Sequence, residues 1–218
     1  MAEIRWYGHN CFRIRAREAT VIVDPVHRST GYAMGKQNAD IVALTNSQGG
    51  SRNLAAIRPE FQTVEGPGEY EIHDVFLTGI RTYHDDQNGK ELGYNTCYVI
   101  ELEGLRIGHL GSLGHTLSAE QVEALGAIDV LLAPAGGGNV LPFEKVVEMI
   151  TELTPKVLIP MRYATAIGDR NLGELEPFCK QLGVEIPEPE DKLVIRHSDL
   201  AESMRLVILT PDSEPARR

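Results

Sequence analysis

Short hydrophobic runs separated by polar turns fill the first half of the chain and predict β-strands. The run from Ile41 to Leu44 is apolar at every position, which is typical of a strand buried on both faces. Glu103 and Gly104 separate two longer hydrophobic stretches, a pattern that predicts a hairpin. The strands predicted in this half span residues 4–7, 12–15, 20–23, 41–44, 75–83, 94–102 and 105–108.

Helical signals begin in the second half of the chain. Ser118 and Gln121 form a capping box ahead of the apolar residues of a first helix. Pro142 predicts the start of a second helix, and a third is expected over residues 172–182. Further strands are predicted at residues 130–133, 156–159, 192–196 and 205–209. The pattern predicts a mixed α/β protein with a single domain over residues 1–210 and a flexible polar tail over residues 211–218.

The composition agrees with one compact core. The chain has 218 residues, of which 42% are hydrophobic and 24% are charged, enough to bury a core without disulfides. Its three cysteines suit free thiols in the cytoplasm, and the sequence contains neither a recognisable signal peptide nor a run long enough to span a membrane. The formal net charge of −10 makes nucleic acid a poor partner. We therefore expect a cytoplasmic protein without membrane or nucleic-acid contacts.

Several short motifs follow one another along the chain. Gly8 to Phe12 reads Gly-His-Asn-Cys-Phe, and an Asp-Pro pair beginning at Asp24 ends the third predicted strand. Thr82 to Asp86, Gly108 to His115 and Leu158 to Tyr163 come later. In this order and at these separations, the motifs resemble the metallo-β-lactamase superfamily, in particular its small bacterial Zn-dependent hydrolases related to the ascorbate-phosphate lactonases. The resemblance covers nearly the whole chain and implies the αββα four-layer sandwich of that fold and assembly into a homo-oligomer.

The loop after Leu44 stands where this superfamily carries the sequence Thr-His-x-His-x-Asp-His. The resemblance places metal ligands in that loop and after three later strands, at Asn46, Gln48, Gly50, Ser51, His84, Ser112 and Arg162. Among these positions only His84 holds a residue that commonly binds a transition metal. Ser112 stands in place of the bridging aspartate, and Arg162 stands in place of the last histidine.

These substitutions weaken each contact that a metal would need. The amide oxygens of Asn46 and Gln48 are poor ligands for zinc, a glycine offers no side chain, and a serine hydroxyl must first lose its proton. Arg162 is worse than neutral, because a guanidinium stays protonated and has no lone pair to offer. The residues thus predict a non-catalytic pseudoenzyme without a metal cofactor. Its former metal positions would form a ligand pocket with a binding, scaffold or self-assembly role, for a small anion or a protein partner.

Four further residues are expected to line this pocket: His9, Asp24, Asp85 and His115. The guanidinium of Arg162 is expected to occupy the space of the lost metals and to pair with Asp85 or Asp24. The histidines keep an alternative open, in which His9, His84 and His115 build a reorganised site for zinc or manganese. The chain would then be a metal-dependent hydrolase of phosphoester or lactone bonds, a substrate class that rests on the resemblance alone.

Overall fold

The computed structural model describes residues 1–168 and 171–216. Its strands are β1 (Ala2–Trp6), β2 (Phe12–Arg15), β3 (Thr20–Val23), β4 (Tyr32–Ala33), β5 (Ile41–Leu44), β6 (Gln62–Glu65), β7 (Gly68–Ile72), β8 (Val75–Tyr83), β9 (Tyr94–Leu102), β10 (Leu105–His109), β11 (Val130–Pro134), β12 (Val157–Met161), β13 (Leu193–Ile195), β14 (Arg205–Leu206) and β15 (Glu214–Pro215). Its α-helices are α1 (Ala119–Leu125), α2 (Phe143–Leu153) and α3 (Leu175–Leu182). Short 3-10 helices lie at Arg28–Thr30, Gly49–Ser51, Leu54–Ala56 and His197–Asp199.

Two mixed sheets carry the fold. The first has the strand order β13-β1-β2-β3-β5-β6, and the second has the order β14-β12-β11-β10-β9-β8-β7. A small separate sheet joins β15 to β4. In the first sheet, β5 lies next to the edge strand β6 and pairs in parallel with β3 and with β6. This position between two strands explains why its sequence is apolar throughout.

One hydrophobic core joins the facing sides of the two sheets. In β3, Val21 and Val23 belong to this core, whereas Ile22 belongs to a second cluster on the opposite face. The alternation follows from the two-residue period of a strand. On the far side of the second sheet, α2 packs against β11 and α3, and the buried Ile150 and Phe178 extend the main core.

The outer face of the first sheet has a thinner cover. Ile22 and Leu44 pack there with Tyr32 and Ala56, which belong to β4 and to a 3-10 helix. Within the described residues, this cluster contains no residue of an α-helix. The predicted α/β sandwich is confirmed, with a fourth layer built from loops and short 3-10 helices.

The main differences from the predicted elements lie at edges and ends. The predicted capping box at Ser118 is present at the start of α1. The strands β6 and β7 were not predicted from the hydrophobic pattern. The predicted flexible tail is attached in its described part: Glu214 pairs with Ala33, and the Ser213 hydroxyl donates to the Tyr7 carbonyl at 2.6 Å. Residues 217–218 of that tail lie outside the described residues. Among the described helices, none is both long enough and apolar enough to cross a membrane.

Gly114 shows how tightly the second sheet holds the loop that starts at His84. Its amide donates to the Tyr83 carbonyl at 2.9 Å, and an added Cβ would lie 2.3 Å from the carbonyl carbon of His84. We predict that Gly114→Ala lowers the free energy of unfolding by about 1–3 kcal/mol, because backbone atoms must move. Gly49→Ala is the matched control, since its added Cβ would meet no atom within 4 Å. Urea unfolding of both variants measures the difference, and equal stabilities would contradict the prediction.

Candidate functional site

The directions of the strands bring distant residues to one edge of the second sheet. β9 is antiparallel to both β8 and β10, and β11 is parallel to both β10 and β12. The C-terminal ends of β8, β10 and β12 therefore point the same way. His84 follows β8, Ser112 lies just beyond β10, and Arg162 follows β12. The second sheet thus places these three side chains side by side.

The first sheet presents a matching set. β2 is antiparallel to β1 and β3, and β5 is parallel to β3, so His9, Asp24 and Asn46 all lie beyond C-terminal strand ends. The backbone turns sharply at His9, Asp24 and Arg162, whose φ angles are 50°, 47° and 55°. Left-handed φ values are unfavourable for residues with a side chain, and they concentrate at functional sites. The Trp6 indole helps to hold the first turn by donating to the His9 carbonyl at 3.0 Å.

A cavity of about 360 Å³ lies between these strand ends. Seven of the predicted site residues line it: His9, Gln48, Gly50, Ser51, His84, Ser112 and Arg162. The other lining residues were not predicted to belong to the site: Gly138, Asn139, Asn171 and Leu172. Asn46 lies next to the lining, because its amide nitrogen is 3.3 Å from Ser112 Oγ. The structure therefore brings the seven former metal positions together.

Arg162 places a guanidinium in this cavity, and 5% of the residue is exposed. Nη1 donates to Ser112 Oγ at 3.0 Å and contacts His9 Nε2 at 3.0 Å, and Nη2 donates to Asn139 Oδ1. A guanidinium has no acceptor, so His9 Nε2 accepts and His9 carries its proton on Nδ1. Burial first, and then the charge of Arg162, lowers the pKa of His9 to about 3. The pair therefore consists of a cation and a neutral ring at neutral pH.

Ser112 Oγ is the point where these donors meet. Besides Arg162 Nη1, it accepts from Asn10 Nδ2 at 2.8 Å and from Asn46 Nδ2 at 3.3 Å. The Asn46 amide is held in this orientation because its Oδ1 accepts from the amide of Gln48 at 2.9 Å. A hydroxyl oxygen has two lone pairs, so the N–H groups aimed at Ser112 exceed what it can accept. This part of the site is rich in donors, the opposite of a metal site.

His84 places two ring nitrogens in the cavity that form no hydrogen bond with the described residues. The residue is 2% exposed, and neither ring nitrogen has a hydrogen-bond partner in the described chain. Burial, and after it the charge of Arg162, lowers the pKa of His84 to about 4, so the ring is neutral and offers one donor and one acceptor. Unmet buried groups of this kind cost about 1–3 kcal/mol, a cost that a bound molecule would relieve.

The two acidic residues predicted at the site, Asp24 and Asp85, hydrogen-bond to other parts of the chain and do not line the cavity. Asp85 accepts from four backbone amides of the loop that follows it, at 2.7–3.0 Å, and these bonds, led by that of Leu92, lower its pKa to about 2. Asp24 accepts from the amide of Thr45 at 2.8 Å and from its hydroxyl at 2.5 Å. The predicted pairing of Arg162 with one of these carboxylates is therefore wrong, although the guanidinium does face inward.

His115 also lies outside the cavity, contrary to the prediction. Its Nε2 accepts from the Tyr83 amide at 3.1 Å, and its ring packs on that of Tyr83. It is therefore not available to join His9 and His84 in a reorganised metal site. Within residues 1–168 and 171–216, no group of three His, Cys, Asp or Glu side chains is arranged to hold a metal ion.

Asn10 and Asn139 are the site residues that the sequence did not reveal. Asn10 follows His9 in the Gly-His-Asn-Cys turn, and Asn139 follows the glycine run Gly136 to Gly138. A turn after a strand is where polar site residues concentrate, so both positions carried a weak signal. Their partners are far away in the chain, 102 residues from Asn10 to Ser112 and 23 from Asn139 to Arg162, which only the folded structure discloses.

Comparison with known proteins adds a family relationship. Residues 3–162 match the family model described as β-lactamase superfamily domain. A crystal structure described as a candidate Zn-dependent hydrolase of the metallo-β-lactamase superfamily, from Thermotoga maritima, is 30% identical with a TM-score of 0.78. The match covers 96% of this chain and 98% of that one. The sheets and helices described above therefore have the metallo-β-lactamase fold.

Curated relatives carry related names. A UPF0173 protein of Pyrococcus abyssi is 24% identical over 203 residues, which cover 83% of this chain and 90% of that protein. A UPF0173 metal-dependent hydrolase of Thermococcus onnurineus is 26% identical over 193 residues, which cover 76% of this chain and 86% of that protein. The names of the Thermococcus and Thermotoga proteins point to a metal cofactor, and the expectation that no cofactor is involved is therefore wrong.

The described residues do not themselves fit the metal that these names imply. A catalytic zinc site needs three protein ligands with lone pairs directed at the ion, whereas the cavity presents the guanidinium of Arg162 and the amide hydrogens of Asn10 and Asn46. His84 is the lining residue whose ring nitrogens stay uncommitted.

Buried histidines make the stability of this region sensitive to acid. His109 Nδ1 accepts from the Gly111 amide at 3.0 Å, so its Nε2 donates to the Asn10 carbonyl at 2.9 Å. Protonation would set Nδ1–H against the Gly111 N–H, and burial lowers the pKa of His109 to about 4. An unfolded histidine has a pKa of about 6.5. Between pH 4 and pH 6.5 the unfolded chain therefore binds more protons than the folded protein, so the free energy of unfolding falls as the pH falls.

We predict that His109→Gln flattens the acid side of the stability profile. Between pH 6 and 4.5, the variant should lose about 1 kcal/mol less per pH unit than the unmodified protein, because one titrating group is gone. His197→Gln, at an exposed histidine, is the control and should keep the original slope. Urea unfolding at several pH values measures both slopes, and parallel profiles would contradict the role assigned to His109.

Proposed function

Since the chain belongs to the family of β-lactamase superfamily domains, we propose that its cavity at the strand ends binds a small molecule through an anionic oxygen group, such as phosphate, sulfate or carboxylate. Arg162, Ser112 and His84 supply the main contacts, and the neighbouring asparagines position them. The protein then acts by binding, as a pseudoenzyme of this fold.

One observation carries the proposal: several N–H groups converge on the single oxygen of Ser112. Arg162 Nη1, Asn10 Nδ2 and Asn46 Nδ2 approach it at 3.0, 2.8 and 3.3 Å. Because a hydroxyl accepts two hydrogen bonds, a ligand oxygen beside it would receive a donor that Ser112 cannot satisfy. Anionic oxygens form the strongest such bonds, particularly with a guanidinium.

The charges around the cavity support the same ligand class. The guanidinium of Arg162 keeps its charge at every accessible pH, whereas burial and its proximity keep His9 and His84 neutral. The carboxylates of Asp24 and Asp85 are held by Thr45 and by backbone amides and do not enter the cavity. An anion therefore meets a cation and neutral donors.

Size and polarity set the scale of the ligand. A volume of about 360 Å³ lies at the lower end of the range for small-molecule sites. His84 adds one donor and one acceptor at the wall, and Leu172 adds an apolar surface. A compact molecule with one anionic group and a second polar group fits these features.

A second function has support from the relatives. Two of the similar proteins are named as hydrolases that depend on zinc or on a metal, which favours a metal-dependent hydrolase. Phosphoester or lactone bonds are the substrates that the resemblance to the superfamily suggests for it. Its nucleophile and its metal geometry cannot be built from the described side chains, of which His84 is the one with uncommitted ring nitrogens. Direct measurement separates the two functions.

The binding function predicts a measurable affinity for simple anions. Isothermal titration calorimetry with sodium phosphate, sodium sulfate and sodium acetate should detect binding of at least one of them. Arg162→Ala should weaken it by about 10–100-fold, because a hydrogen bond to a charged group contributes roughly 1.5–3 kcal/mol. Arg58→Ala removes an exposed arginine outside the cavity and should leave the affinity unchanged.

Ser112→Ala gives a second variant in case Arg162→Ala does not fold, which circular dichroism would reveal. It removes the acceptor on which the donors converge and should change the affinity while leaving the charge intact. Absence of binding for all three anions would overturn the proposal. Equal affinity in both pocket variants and the original chain would show that the anion binds elsewhere.

The hydrolase function makes its own prediction. Expression in medium supplemented with zinc and manganese, followed by dialysis without chelator and elemental analysis, should then find about one or two metal equivalents per chain. His84→Ala should lower this content and abolish hydrolysis of phosphoester or lactone reporters. A content below roughly a tenth of an equivalent would contradict a metal-dependent hydrolase, because tight sites keep their metal through dialysis.

A further inference from the structure

Asp24 is a buried carboxyl group that the anion site does not use directly. The residue is 1% exposed, lies outside the cavity lining, and binds the amide and hydroxyl of Thr45. Its carboxyl group also hydrogen-bonds the side chain of Asn10, and Asn10 Nδ2 donates to Ser112 Oγ at 2.8 Å. Asp24 is therefore two hydrogen bonds away from the oxygen on which the cavity donors converge.

Thr45 provides a second connection between Asp24 and the cavity. Thr45 Oγ1, which donates to Asp24, accepts from Asn46 Nδ2 at 2.9 Å, and the same Nδ2 lies 3.3 Å from Ser112 Oγ. A carboxylate can only accept, whereas a carboxylic acid carries one O–H donor. A change in the protonation of Asp24 therefore alters hydrogen bonds that lead to Ser112.

The surroundings of Asp24 offer little compensation for a negative charge. The cations that act on it are Arg162, which contacts Ser112 and His9, and Arg52, which is paired with Glu65 at 2.5 Å. The other titratable groups that face it are the un-ionised Cys11 and Tyr98.

Burial outweighs the bonds from Thr45 and Asn10 and the attraction of Arg162, and it raises the pKa of Asp24 to about 7. The carboxyl group therefore sits near the midpoint of its titration at physiological pH. A small change in the charge around it changes its protonation.

We infer that an anion enters the cavity together with one proton and that Asp24 takes up this proton. An anion beside Arg162 screens the attraction between this guanidinium and the ionised carboxyl group of Asp24, and it adds a second negative charge nearby. Both effects favour protonated Asp24. By linkage, protonation of Asp24 strengthens anion binding by the same factor. This inference rests on the proposed anion-binding function and adds its regulation: affinity falls as the pH rises through 7.

Sulfate is the suitable probe, because it does not change its own charge between pH 6 and 8.5. Calorimetric titration in two buffers with different ionisation enthalpies gives the number of protons taken up per sulfate. We expect an uptake of about half a proton near pH 7.5 and an affinity about tenfold weaker at pH 8.5 than at pH 6, equivalent to a shift of about one pH unit in the titration of Asp24.

Asp24→Asn keeps the size of the side chain and removes its titration. This variant should bind sulfate with the same affinity at pH 6 and pH 8.5 and without proton uptake. Asp86→Asn removes an exposed carboxylate from the loop beside the site and should keep the full pH dependence. This control separates the titration of Asp24 from a general loss of negative charge.

The outcomes distinguish this inference from the function on which it rests. Sulfate that does not bind at any pH would overturn both. Sulfate that binds equally at pH 6 and pH 8.5 without proton uptake would overturn the role of Asp24 and leave anion binding intact. If Asp24→Asn does not fold, the proton uptake of the unmodified chain decides the question alone.

Discussion

The buried guanidinium of Arg162 determines the polarity of the site around it. It can donate and never accept, so each group in contact with it must turn a lone pair towards it. His9 responds with an unprotonated Nε2, Asn139 with its amide oxygen, and Ser112 with its hydroxyl oxygen. The remaining hydrogens of these groups are then available to other partners. The positive charge of Arg162 thus orients the polar side chains at the strand ends so that their hydrogen-bond donors are left for other partners.

The scaffold and the side chains of this protein therefore give different indications. The strand directions bring together the positions that the superfamily uses for metal ligands, and the relatives are named for metal dependence. Most of the side chains at these positions present N–H or O–H groups, which is the reason that we propose an anion as the ligand. A fold of this kind supports several chemistries, so the side chains at the strand ends decide which ligand is bound.

Much of the fold could be predicted from the sequence because its interior strands have strong patterns. β5 is apolar throughout and β9 is long, whereas β6 buries only Val64 and β7 alternates between glutamates and half-buried residues at a sheet edge. Such edge strands resemble loops in hydropathy. The attachment of residues 213–215 to the first part of the chain was not predictable for a similar reason, since it uses backbone and hydroxyl groups that hydropathy does not register.

The site was predictable where a residue lies within two positions of the end of a strong strand, as His84, Asn46 and Arg162 do. It was not predictable where the role depends on orientation: Asp85 turned to its own loop, and Asn10 turned to Ser112. The turn at His9 also has a practical consequence. Trp6, the single tryptophan of the chain, is bonded to the His9 carbonyl and packs 5.2 Å from the ring of Tyr163. The protein thus carries a built-in fluorophore whose emission reports on both sides of the site without any added label.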